Sequence, residues 1–180
     1  MKNGFQRILC TAAIAAGVLT AVFAFFARNS LCLTLAITFG TTFYHFALRL
    51  LVGWLGRIFF PKGGENASWF REKPWEPGLY RFLRVRRWKN KMPTFDPDSF
   101  DLKKHTLGEI VRTTCIAEIT HEIIMPLSFL PLLAIPRYGA APVFAVTSAL
   151  AAAFDGVFVI MQRCNRPRLI RLQKKEEMRP

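Results

Sequence analysis

Glu118 and His121 lie three residues apart in a largely apolar stretch. On a helix that spacing sets a carboxylate and an imidazole on one stripe, with Thr114 and Met125 in line and Glu122 on its shoulder. A carboxylate beside an imidazole fixes its tautomer and steadies its protonated form. That suits a general base acting on a hydroxyl, with His121 as the base and Glu118 orienting it. The same spacing suits a buried polar pair that merely orders a helix bundle, and spacing alone leaves both readings open.

His45 and Arg49 are four apart and share a face. Either Arg49 reaches for the headgroup level while His45 bonds a neighbouring helix, or both line a substrate cleft. Asp155 stands alone in the last apolar stretch, with Arg49 and His45 as available partners. Ionisable groups inside apolar spans are costly unless they face protein, water or ligand, so each marks a candidate site. His45, Glu118, His121, Glu122 and Asp155 would suffice as zinc or iron ligands. However, H-E-x-x-H is absent, and only one E-x-x-H turn occurs where carboxylate di-iron bundles use two. No metal site and no tightly bound cofactor are expected. Cys10, Cys32, Cys115 and Cys164 form no CxxC pair and suggest no disulfide framework.

The run 83–91 holds Arg86, Arg87, Trp88, Lys89 and Lys91. Cations and aromatics so mixed suit an anionic lipid surface. They equally suit the phosphates of a soluble donor such as an acyl-CoA, gripped by forked Arg and point-charge Lys.

Four apolar runs must position these groups: residues 8–27, 30–52, 119–135 and 140–162. About 20 helical residues cross a hydrocarbon core of roughly 30 Å. The first run follows Lys2 and Arg7 as a signal peptide would. It is longer than the usual ~7–15 apolar residues, lacks a small-x-small cleavage site and leads straight into the second run. A retained hairpin is expected, with Ala12, Ala13, Ala15, Ala16 and Gly17 allowing close helix approach.

Charge then sets topology. Only Arg28 separates runs one and two, and only Arg137 runs three and four. The stretch 57–112 holds thirteen Lys and Arg, and 163–179 holds seven. By the positive-inside rule both termini and the long middle loop are cytoplasmic. The net charge of +13 is then largely topological, which argues against nucleic-acid binding. The expected fold is an all-α membrane protein, a four-span helical bundle with a cytoplasmic interfacial segment between spans two and three. Its parts are an N-terminal hairpin (1–53), a basic and aromatic interfacial segment (54–117), a C-terminal hairpin (118–162) and a basic tail (163–180). The chain is expected in the cell membrane as a multi-pass protein in contact with lipid. No pattern specifies an oligomeric state.

Within this frame, residues 78–91 are expected as a short amphipathic helix or extended segment on the membrane. A helix begun near 103–117 should run into the third span, where Pro126, Pro131 and Pro136 should kink it. Pro167 should stop or bend the last helix near Asn165.

Three blocks in this order resemble the glycosyl-4,4'-diaponeurosporenoate acyltransferase family. Val85-Arg86-Arg87-Trp88-Lys89-Asn90-Lys91 is similar to its V-R-[KR]-W-K-x-K. Thr114-Cys115-Ile116-Ala117-Glu118-Ile119-Thr120-His121 is similar to part of its E-T-x-R-A-E-[LI]-x-H-W. Gln162-Arg163-Cys164-Asn165-Arg166-Pro167-Arg168-Leu169, the most specific block, is similar to its Q-R-Y-N-R-P-R-L. Together they frame about half the chain. The chain departs from the family at Thr113 (glutamate), Ile116 (arginine), Glu122 (tryptophan) and Cys164 (tyrosine).

The resemblance implies transfer of a fatty acyl group to a sugar hydroxyl of a membrane glycolipid or another lipid-linked alcohol, as in carotenoid biosynthesis. On that reading His121 is the base, oriented by Glu118, and an acyl-CoA-like donor is held by Arg86, Arg87, Lys89 and Lys91 beside Trp88. Asn165, Arg166 and Arg168 shape the mouth, and His45 and Arg49 line the substrate cleft. The departures would redirect the acceptor if they touch it, and abolish the activity if the lost groups were catalytic. Two alternatives stand beside this reading. One is an intramembrane metal-dependent hydrolase or protease built on His45, Glu118, His121 and Glu122. The other is a non-catalytic module that binds lipid or a partner.

Overall fold

A computed structural model describes residues 4–26, 29–94 and 96–178, the side chain of Phe5 excepted. Lys2 and Arg28, used above for the charge asymmetry, and Arg179 of the tail lie outside the described residues. Among the described residues the chain is helix and turn without a strand. The helices are α1 (Gly4–Phe25), α2 (Ser30–Phe59), α3 (Glu76–Phe82), α4 (Val85–Trp88), α5 (Leu107–Leu127), α6 (Ile135–Tyr138) and α7 (Ala141–Glu177). Four helical stretches are long and apolar enough to cross a membrane: Gln6–Phe25, Ser30–Phe59, Leu107–Tyr138 and Ala141–Glu177.

Local chemistry sets the helix ends. The Asn29 side chain accepts from Cys32 N (2.8 Å) and starts α2. Thr106 and Glu109 form a reciprocal capping box that starts α5. Pro126 lies in the last turn of α5, and Pro131 and Pro136 open a 3-10 turn (Leu130–Ala134) and α6. The expected kink is therefore a helix end followed by short turns. The middle segment folds as the short helices α3 and α4 and several 3-10 turns, including Lys89–Lys91.

α1 packs on α2, where Ala13 and Ala16 are buried and a Cβ added at Gly17 would lie 3.2 Å from Phe43. α2 packs antiparallel on α5. Tyr44 donates to Leu127 O (2.7 Å) at one end of this pair. At the other, a Cβ on Gly56 would meet Thr120 Oγ1 at 2.7 Å, so only glycine permits that approach. α5 and α7 form the most extensive pairing. The buried face of α7 includes Phe144, Ser148, Ala151, Asp155, Phe158, Gln162 and Arg166, a stripe with steps of three and four. Thr114, Glu118, His121 and Ile124 form the answering stripe on α5.

Pro167 does not stop α7, which continues to Glu177. Proline removes one helical N–H and disfavours helical backbone at the residue before it. Here Arg163 and Arg166 are tied to α5 and to the middle segment, and these anchors hold the turn helical through the proline.

Candidate active site

Two polar clusters lie between α5, α7 and their neighbours. In the deeper one, His121 Nδ1 meets Asp155 Oδ1 at 2.8 Å. Arg49 Nη2 donates to Asp155 Oδ2 (2.5 Å) and to Ala151 O (3.1 Å), and Arg49 Nη1 donates to His45 O (2.9 Å). Asp155 is fully buried, while the His121 side chain keeps 20% of its exposure. The imidazole stacks on Phe158 at 4.7 Å between ring centres. With Arg49 donating to its other oxygen, the Asp155 carboxylate is placed as the acceptor and His121 Nδ1–H as the donor. In the neutral imidazole this tautomer leaves the Nε2 lone pair available. No protein group among the described residues is hydrogen-bonded to Nε2.

The second cluster lies eight residues along α7, about 12 Å at helical rise. Arg163 Nη1 donates to Glu118 Oε1 (2.6 Å), its Nε to Glu76 Oε1 (2.9 Å) and its Nη2 to Trp69 O (3.1 Å). Arg166 donates to the other Glu118 oxygen, to Thr114 Oγ1 and O (both 3.2 Å) and to Phe70 O (3.2 Å), with its guanidinium over the Phe70 ring. Tyr80 donates to Glu76 Oε2 (2.8 Å). Burial, and then that bond, hold the Tyr80 phenol well above its ordinary value, so it remains a donor. This network clamps the middle segment onto the ends of α5 and α7.

The expected Glu118–His121 contact is not made. The three-residue spacing does put both on the face toward α7, but α7 presents arginines at one level and Asp155 two turns away. A carboxylate takes two charged, forked donors in preference to an imidazole on its own helix. Glu118 therefore holds helices together, and Asp155 orients His121. Arg166 is also not at a cleft mouth. It is 1% exposed and committed to Thr114, Phe70 and Glu118. Asn165 accepts from Lys89 Nζ (2.5 Å), which joins the turn after α4 to α7. Trp88 Nε1 donates to Leu83 O (3.0 Å). Arg86, Arg87, Lys91 and Arg168 are exposed. His45 is 6% exposed, and neither ring nitrogen has a hydrogen-bond partner. Arg49 turns inward to Asp155 instead of reaching for headgroups. Among the described residues no three His, Cys, Asp or Glu side chains converge as a metal site.

A family model for glycosyl-4,4'-diaponeurosporenoate acyltransferase matches residues 66–175. The chain belongs to that acyltransferase family. No curated protein and no solved structure matches the chain. The match spans most of the middle segment, α5 and nearly all of α7, so His121 and Asp155 fall inside it, whereas His45 and Arg49 on α2 fall outside. The three blocks that resemble the acyltransferase family meet in space: Lys89 bonds Asn165, and Glu118 bonds Arg163 and Arg166. Of the positions that depart from the family pattern, Thr113 Oγ1 donates back to Glu109 O (3.0 Å) and Ile116 lies against Gly56. Glu122 accepts from Trp69 Nε1 (2.8 Å) and sits 3.7 Å from Arg163.

Arg163, Glu76 and Trp69 were not among the expected site residues, and Asp155 had no role. The stripe 144, 148, 151, 155, 158, 162 and 166 is readable in the sequence and would have put Asp155 on the same face as Arg166.

Proposed function

We propose that this membrane protein transfers an acyl group from a thioester donor to the hydroxyl of a membrane-embedded lipid alcohol, with His121 as general base and Asp155 as its orienting partner. Arg49 donates to the other oxygen of Asp155 and holds the carboxylate in place. The carrying observation is the His121–Asp155 contact at 2.8 Å, with a fully buried carboxylate and an uncommitted Nε2. Nε2 takes the hydroxyl proton as the oxygen attacks the acyl carbonyl. The carbon–sulfur bond breaks, and the imidazolium returns the proton to the departing thiolate, so acceptor and thioester become ester and thiol. A base so placed contributes about 10²–10⁴ in rate.

Arg86, Arg87 and Lys91 are suited to the phosphates of an acyl-CoA-like donor because they are exposed beside the clamp. Arg168 shares that exposure. The charge distribution supports placing the middle segment and both termini on the cytoplasmic side of the cell membrane. The family name supports a glycosylated, carotenoid-like acceptor, and Glu122 and Ile116 are the positions where this chain's acceptor would differ.

The test is comparison of total lipids from cells making the wild-type chain, His121→Ala or no protein. An acylated lipid present only with the wild-type chain supports the reading. The same lipid at equal level with His121→Ala, at equal protein, refutes it.

A further inference from the structure

His45 is the least explained polar side chain in the bundle. It is 6% exposed, yet Nδ1 and Nε2 both lack a partner, and an apolar residue would fill the same space without that cost. Among the described residues three other buried side-chain atoms also lack a partner, one of which, Thr120 Oγ1, faces Gly56 on α2. Ser148 Oγ on α7 is fully buried without a partner, and so is Arg49 Nε. In most native structures such atoms are satisfied by water or ligand.

Register brings His45 and Ser148 to neighbouring levels. α2 and α7 both run antiparallel to α5, so they are parallel to each other. Arg49 donates to Ala151 O and Asp155 on α7. His45 is four residues before Arg49, and Ser148 is three before Ala151, so they step back along their helices by about 6 Å and about 4.5 Å. They lie at neighbouring levels one to two turns beyond the His121–Asp155 pair, Ser148 being about 10 Å before Asp155 along α7, on the side away from the Arg163 cluster. Tyr44 flanks these levels, its hydroxyl tied to Leu127 O. The imidazole can donate and accept, and a serine hydroxyl can do either. This set, with one added N–H from Arg49, matches a neutral hydroxyl and carries no feature selective for an anion.

We propose that His45 and Ser148 form a niche for a second hydroxyl of the acceptor, about one to two helical turns from the hydroxyl that reacts at His121. The niche rests on the acyl-transfer reading for its purpose, and it selects a polyhydroxy head over a simple alcohol. Water offers the same chemistry, and the two sources separate experimentally.

The chain has three histidines, so ¹⁵N-histidine labelling gives an assignable imidazole spectrum of the full protein in nanodiscs. The probes are an alkyl glycoside and an n-alkanol of equal chain length. The glycoside is expected to shift the His45 nitrogens saturably and to bind about tenfold more tightly than the alkanol. Ser148→Ala and His45→Leu should each abolish that advantage while leaving alkanol binding unchanged. Equal affinity for the two probes, or equal weakening of both by Ser148→Ala, overturns the proposal. So does a His45 signal that already reports a hydrogen bond to water and responds to neither probe. The binding experiment does not use turnover. Loss of the function reading through an active His121→Ala is therefore distinguishable from loss of the niche.

Discussion

Replacing Glu118 with glutamine removes the charge that two guanidiniums share at a fully buried site. Glutamine retains one acceptor oxygen but turns an NH₂ toward a group that can only donate. Breaking a buried ion pair from one side costs about 3–5 kcal/mol. Arg163 keeps Glu76 at 2.8 Å, and Arg166 keeps Thr114 and the Phe70 carbonyl, so the lower end applies, about 3 kcal/mol. At about 2–4 °C per kcal/mol for a chain of this size, the unfolding midpoint falls by roughly 6–12 °C. The assay pairs that midpoint, in nanodiscs, with acyl transfer per folded molecule at 25 °C. Transfer should stay within a few-fold of wild type, because Glu118 does not touch His121. A normal midpoint with transfer lost by about 10²-fold would show Glu118 acting as the base's partner and would refute the division of labour drawn here.

Three further outcomes follow from particular contacts. Gly56→Ala puts a methyl 2.7 Å from Thr120 Oγ1 and should cost about 1–3 kcal/mol in thermal stability, recovered in part by adding Thr120→Ala. Arg86→Ala with Arg87→Ala should raise KM for a thioester donor by roughly 30-fold with kcat kept, at about 1 kcal/mol per cation. That rise should shrink at high salt, as exposed charges require. Tyr80→Phe removes a donor to the Glu76 carboxylate and should lower the midpoint by the equivalent of about 1.5–3 kcal/mol, loosening protease protection of the middle segment ahead of the spans.

The four apolar helices were legible because hydropathy and length demand them, whereas the start of α5 was placed only near 103–117, although Thr106 and Glu109 have capping-box spacing. That Glu118 and His121 face the same partner was legible from helical period. Which carboxylate meets the imidazole was not, because it depends on the register between α5 and α7, helices separated in sequence by turns that no local rule fixes. Asn165 and Arg166 were misread for the same reason. In sequence they are polar residues near a helix end, and only the docked middle segment, with Phe70 and Lys89, turns them into fasteners. The helix stop expected at Pro167 does not occur because a local preference yields to buried ion pairs on the preceding turn.

The most direct measurement is the rate of acyl transfer by Asp155→Asn, measured per folded molecule beside His121→Ala. Asparagine can keep the contact to Nδ1 but can offer it a donor instead of a charge, so the imidazole loses its fixed tautomer. Both variants should fall by about 10² or more at unchanged KM. Wild-type turnover in a folded Asp155→Asn, with His121→Ala inactive, would contradict the pairing on which the mechanism stands.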